Sequence, residues 1–211
     1  MSSPKQINSD LGFIHRFIPA KREGAQTLLV LHGTGGDESD LVSLAGTIDP
    51  NAGILSPRGK VLENGMPRFF RRFAEGVFDI KDLKFRTAEL ADFVSKASKK
   101  YNFDPESVVA LGYSNGANIG ASLLLLSPET LSKAILFRAM LPLTPDKIPD
   151  LSGKKVFISA GRFDTVIPKD GTLALQKTLE EGCAEVTLNW ADSTHSLIQT
   201  EVEKAKKWLE Q

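Results

Sequence analysis

The chain is short of several things. It has one cysteine, Cys183, and three histidines, and its 26 lysines and arginines are matched by 26 aspartates and glutamates. A single cysteine excludes an internal disulfide framework. Balanced charge removes the usual argument for nucleic acid, an anionic membrane or a polyanionic substrate, so the implied partner is a small molecule not selected by long-range charge. Long apolar runs are missing too: Leu123–Leu126 is among the longest, far short of a membrane span. Met1–Asp10 is polar, without the apolar core of a secretory signal, and reads as a frayed end on a soluble cytoplasmic protein. Residues 11–211 fit one domain, large enough to bury a core without staples. Cys183 follows Gly182 at an expected helix end and reads as a structural or incidental thiol rather than a reactive one. The oligomeric state stays open, a homodimer included.

What is present is an alternation of short apolar runs with amphipathic stretches. Gly12–Ile18 and Thr27–Leu31 are expected as strands, joined by a turn at Lys21–Gly24 and able to pair as a hairpin. The loop His32-Gly33-Thr34-Gly35-Gly36-Asp37 follows, with Asp37 as expected N-cap of a helix through Gly46. Ala52–Ser56 is the next strand. Pro57–Gly76, rich in Gly, Pro and Arg and without a clear period, reads as a long loop of the kind that tends to be functional. Asp79–Tyr101 carries a helical apolar stripe. Strands are then expected at Val108–Gly112, Ser132–Phe137, Lys155–Ala160 and Glu185–Trp190, and helices after Ser114, over Pro168–Glu181 and over Ser196–Glu210. Pro142, Pro145 and Pro149 mark an irregular linker that could roof a pocket. This alternation predicts an α/β fold: a mostly parallel sheet with helices on both faces and ligands at the carboxyl ends of the strands.

The chain is organised around Val108-Val109-Ala110-Leu111-Gly112-Tyr113-Ser114-Asn115-Gly116-Ala117. A buried strand runs into Gly-x-Ser-x-Gly and then into a helix of small residues stopped by Pro128. In that context a serine sits on a strained turn with Oγ exposed above the sheet, and the glycines remove Cβ atoms that would collide. Ser114 is the candidate nucleophile. A serine hydroxyl needs a base. His15 lies in an early strand and reads as structural, and His32, opening a glycine loop, reads as locally hydrogen-bonded. His195, between the last strand and the last helix, is the candidate base. Its orienting carboxylate should follow a strand lying between nucleophile and histidine, which selects Asp164 over Asp170, inside a helix, and over Asp146, Asp150 and Asp192, which read as turn residues. The backbone N–H groups of Asn115 and Thr34 are candidate oxyanion donors. Phe69 and Phe70, within Pro67–Phe73, are read as pocket wall with the arginines in ion pairs; Met140 and Val166 are further candidate lining. The glycine loop lacks the third glycine of a dinucleotide fingerprint, since position 38 is Glu38, and lacks the lysine of a P-loop. No metal-ligand spacing occurs and no cofactor is implied.

These stretches, with Ser56–Gly59, Glu63–Arg72, Arg138–Pro142 and Gly161–Pro168, resemble the phospholipase/carboxylesterase family of small α/β-hydrolases. They are most similar to its hydroquinone-responsive bacterial esterase branch. The resemblance implies an α/β-hydrolase fold without a large cap domain and a cofactor-free serine carboxylesterase using Ser114, Asp164 and His195, with Thr34 and Asn115 as oxyanion donors. The chain has Thr194 where members of the family it resembles often place glycine before the histidine. A thioesterase or lysophospholipase-type acyl hydrolase would need the same residues, and a non-catalytic ligand-binding protein of this fold is a further alternative.

Overall fold

The computed structural model describes residues 7–211. Its frame is an eight-stranded sheet built from β1 (Ile7–Asn8), β2 (His15–Ile18), β3 (Thr27–Leu31), β4 (Gly53–Pro57), β9 (Val108–Tyr113), β10 (Lys133–Phe137), β11 (Lys155–Gly161) and β12 (Glu185–Ala191), in the order β1-β2-β4-β3-β9-β10-β11-β12. From β4 to β12 every pairing is parallel, whereas β2 joins β4 and β1 joins β2 antiparallel. The remaining strands form two small hairpins, β5 (Val61–Glu63) with β6 (Met66–Arg68) and β7 (Arg72–Ala74) with β8 (Val77–Phe78). The helices are α1 (Val42–Ile48), α2 (Ile80–Tyr101), α3 (Asn115–Leu126), α4 (Lys169–Glu181) and α5 (Gln199–Leu209).

The central strands are apolar throughout because both faces are covered. Successive side chains alternate between the two layers. Leu29, Leu31 and Ala110 point into the core shared with α2, α3 and α4, while Leu28, Val30 and Leu111 point into the core shared with α1 and α5. Helix α3 is buried almost all round, lying between the sheet and α2, which explains its run of small and apolar residues. The side chain of Asp79 caps α2 by accepting from the N–H of Asp82.

Four sequence expectations change. The hairpin of the first two strands does not form: β2 pairs with β4, which lies between it and β3. Asp37 is no N-cap, since α1 starts at Val42 and the Asp37 carboxylate instead accepts from the Ser39 N–H in a local turn. The stretch 57–76 is not a plain loop, because the two hairpins occupy most of it. Within the N-terminal stretch expected to fray, Ile7 and Asn8 pair with Arg16 and His15; residues 1–6 lie outside the described residues.

The elbow depends on close backbone approach. A Cβ on Gly116 would stand 2.0 Å from the Leu31 carbonyl oxygen, and one on Gly112 would stand 2.6 Å from the Ala117 Cα. Backbone atoms cannot yield as side chains do, so Gly116→Ala should cost about 3 kcal/mol. Gly46, exposed on α1 with open space where its Cβ would be, should gain about 0.5–1 kcal/mol on mutation to Ala. Urea denaturation of the two variants checks the contrast; similar midpoints would refute it.

Candidate active site

The carboxyl ends of β3, β9, β10, β11 and β12 open on one edge of the sheet, and the loops that follow them build the site. Strand β9 runs straight into α3 through Ser114, held at φ 53° and ψ −115°, a conformation that an L-residue occupies only under constraint. The constraint is hydrogen bonding on both sides: the Ser114 N–H donates to the Phe137 carbonyl at 2.9 Å and its own carbonyl accepts from the Asn118 N–H at 2.9 Å.

His195 sits in the loop after β12, and its ring joins two distant groups. Nε2 lies 3.0 Å from Ser114 Oγ and Nδ1 lies 2.8 Å from Asp164 Oδ2. An ionised carboxylate only accepts, so Nδ1 carries the proton and Nε2 is left as the acceptor for the serine hydroxyl. The Asp164 side chain is 2% exposed. Its other oxygen accepts from the N–H groups of Val166, 2.8 Å, and Ile167, 3.0 Å, which fixes the carboxylate plane toward the imidazole. The phenol of Tyr113 donates to the His195 carbonyl at 2.8 Å, and burial pushes the pKa of that phenol up. Gly161 lets the histidine loop come close: a Cβ there would meet the Thr194 carbonyl oxygen at 2.3 Å. Thr194 has no left-handed backbone, so nothing in the conformation of this position requires glycine.

Opposite the serine, the glycine loop is fastened to the first hairpin. The Gly35 N–H donates to the Pro67 carbonyl at 2.9 Å, and Arg68 Nη1 donates to Thr34 Oγ1 at 2.6 Å. Asn115 Oδ1 accepts from the Phe69 N–H at 2.7 Å. The backbone N–H groups of Thr34 and Asn115 donate to no other group among the described residues. Asn115 also opens α3, so its N–H adds to the partial positive charge of a helix N-terminus.

Neither aromatic ring expected at the pocket wall faces outward. Phe69 and Phe70 are 2% and 0% exposed and belong to the core, Phe69 against His32 and Phe70 against Phe78. The apolar side chain of Met66 lies at the glycine loop instead, with Sδ 3.6 Å from where a Cβ on Gly35 would be. The neighbouring arginines are ion-paired, Arg68 and Arg72 to Glu63 and Arg71 to Asp79. Met140 and Val166 are half-buried. Met140 packs on the first turn of α4 at Gly171 and its N–H donates to Asn118 Oδ1 at 3.0 Å, while Val166 acts through its backbone on Asp164. Reading the sequence by motif missed a buried pair, Arg138 and Glu201, under the histidine loop. Burial works against the charge on Glu201, but hydrogen bonds from Arg138 and Ser159 outweigh it and hold the carboxyl below its usual range. The available signal was a charged residue directly after an apolar strand and another on the apolar stripe of α5. Among the described residues no cluster of His, Cys, Asp and Glu could hold a metal ion.

This fold and this edge define a class. A family model described as Phospholipase/Carboxylesterase matches residues 14–211, and the chain belongs to that family: it is an α/β-hydrolase of the ester-hydrolase class. The chain is 46% identical over 196 residues to MhqD of Bacillus subtilis, an alignment covering 93% of this chain and 98% of MhqD. It superposes on the crystal structure of the Bacillus cereus carboxylesterase with a TM-score of 0.90 at 49% identity, covering 92% of each chain. The carboxylesterase from Mesorhizobium loti gives a TM-score of 0.90 at 33% identity, covering 97% of this chain and 98% of that one.

The other two histidines carry a prediction about stability. The Nδ1–H of His32 donates to the Gly33 carbonyl at 2.6 Å while Nε2 accepts from the Gly59 N–H at 2.9 Å. His15 is held between the Phe13 carbonyl and the Tyr101 hydroxyl. Burial lowers both pKa values below 6.5; protonating His32 would also turn Nε2 against an N–H donor. The unfolded chain therefore takes up these protons first. Stability is complete above pH 6.5 and declines as the pH falls below it, a window above the titration of the carboxylates. Urea unfolding at pH 7.5 and 5.5 should show that decline, smaller in His32→Gln. Equal stability at the two values would overturn the assignment.

Proposed function

We propose that this protein is a cytoplasmic serine carboxylesterase that hydrolyses small carboxylic esters through an acyl-enzyme, with residues 11–211 as one catalytic domain. The reading rests on one observation, the imidazole of His195 standing between Asp164 at 2.8 Å and Ser114 at 3.0 Å. Ser114 Oγ attacks the ester carbonyl carbon as His195 Nε2 takes the hydroxyl proton. The carbonyl oxygen becomes an oxyanion that accepts from the Thr34 and Asn115 N–H groups, each such donor contributing roughly 3 kcal/mol in enzymes where one has been removed. Collapse breaks the bond to the alcohol oxygen, which leaves with the proton from His195. Water then attacks the acyl-serine, gives its proton to the same nitrogen, and the acid departs as Ser114 is reprotonated. Asp164 stays ionised throughout, holding the tautomer and stabilising the transient imidazolium.

Short p-nitrophenyl esters should be turned over by the wild type and not by Ser114→Ala. Asp164→Asn should lower kcat by about 10⁴-fold, because an amide in that place admits the wrong tautomer. Unchanged rates in either variant would remove the assignment. Matched oxygen and thiol esters, assayed side by side, separate a carboxylesterase from an acyl-thiol hydrolase. Failure of a fluorophosphonate to label Ser114 would favour a ligand-binding protein.

A further inference from the structure

The residue that follows β10 is Arg138, the largest fully buried side chain among the described residues. A guanidinium keeps its charge in a protein interior and carries five N–H donors, so burying it demands a counter-charge and a set of acceptors. Glu201, on α5 and 63 residues away, supplies the charge in a two-pronged bridge, Nη1 to Oε1 at 2.6 Å and Nη2 to Oε2 at 2.8 Å. Most of the other acceptors belong to the histidine loop. Nε is shared between the carbonyls of Thr194, 3.0 Å, and His195, 3.1 Å. Nη2 reaches Ser193 Oγ at 2.9 Å and the Ser196 carbonyl at 2.6 Å, and Nη1 also donates to the Ser159 carbonyl at 3.2 Å. Four consecutive residues, 193 to 196, thus hang on one side chain.

Two further facts separate this from ordinary core filling. Arg138 is itself at φ 60°, an uncommon conformation for a long side chain, held by its N–H on the Ser159 carbonyl at 2.8 Å. A buried ion pair is also a weak source of stability, because desolvation offsets most of the attraction. What such a pair supplies well is a fixed geometry.

We propose that Arg138, clamped by Glu201, is the positioning residue for the imidazole of His195. By gripping the carbonyls of residues 194 to 196 it sets where Nε2 stands relative to Ser114 Oγ. The inference rests on the reading of Ser114, Asp164 and His195 as the hydrolytic machinery. Tyr113 holds the same His195 carbonyl at 2.8 Å, so loss of the Arg138 grip leaves the loop attached but free to shift. A displacement of about 1 Å in such a group is worth roughly 10²-fold in rate.

The test uses Arg138→Lys, which keeps the charge but replaces the planar fork with a point donor, and Glu201→Gln, which loosens one arm of the clamp. The second covers failure of the first to fold. Kinetics on p-nitrophenyl acetate should show kcat down by about 10²-fold in Arg138→Lys and less in Glu201→Gln, with KM within about twofold, since Arg138 and Glu201 are buried under the histidine loop and would touch no bound ester. Independently of turnover, the downfield proton signal of His195 Nδ1–H, assigned by its absence in His195→Gln, should be sharp in the wild type and broadened or lost in both folded variants. A sharp signal in the variants overturns the proposal, as does a folded Arg138→Lys with wild-type kcat or a loss that falls on KM. A wild type that turns over no ester, but whose proton signal responds as described, refutes the hydrolase reading and leaves the positioning role standing.

Discussion

The arrangement depends on the approach of α3 to β3 and β9 at the elbow. Only with hydrogen in place of Cβ at Gly112 and Gly116 can the chain turn from strand to helix within one residue. That residue is forced into the conformation that lifts Oγ of Ser114 above the sheet. The same approach directs the first N–H groups of α3 toward the place where negative charge would develop. One packing constraint therefore fixes the proposed nucleophile and one of its proposed oxyanion donors together, with rigid strands on either side to hold the strain.

The remaining parts arrive from different strand ends, and each is fastened by groups outside the proposed catalytic set. Asp164 is oriented by two backbone N–H groups and the glycine loop by Pro67 and Arg68, while the histidine loop is held by Tyr113 and Arg138. Such second contacts decide whether the side chains stand at reacting distance or merely near one another.

How much of this was legible in the sequence follows from the range of each interaction. The buried strands and the elbow were legible because their signals are local: a continuous apolar run, then Gly-x-Ser-x-Gly, then a helix of small residues. Ser114, Asp164 and His195 could be chosen because the chemistry demands particular residue types after particular strands. Strand partners were not legible; nothing within His15–Ile18 says that Gly53–Pro57, rather than the nearer Thr27–Leu31, will lie beside it. The short hairpins of 61–78 have too few residues to show a period. Phe69 and Phe70 look the same in sequence whether they line a pocket or fill a core, and the structure puts them in the core. Arg138 and Glu201 become meaningful only once the fold closes the gap between them.

The central claim, that Ser114 is a hydroxyl activated to carry an acyl group, is tested most directly by trapping that group. Acid quenching within the first turnovers of p-nitrophenyl acetate, followed by peptide mass spectrometry, should find one acetyl on the peptide containing Ser114 in the wild type and none in His195→Ala. Turnover of the ester with the acetyl on another residue, or an unchanged acetyl yield without the imidazole, would contradict it.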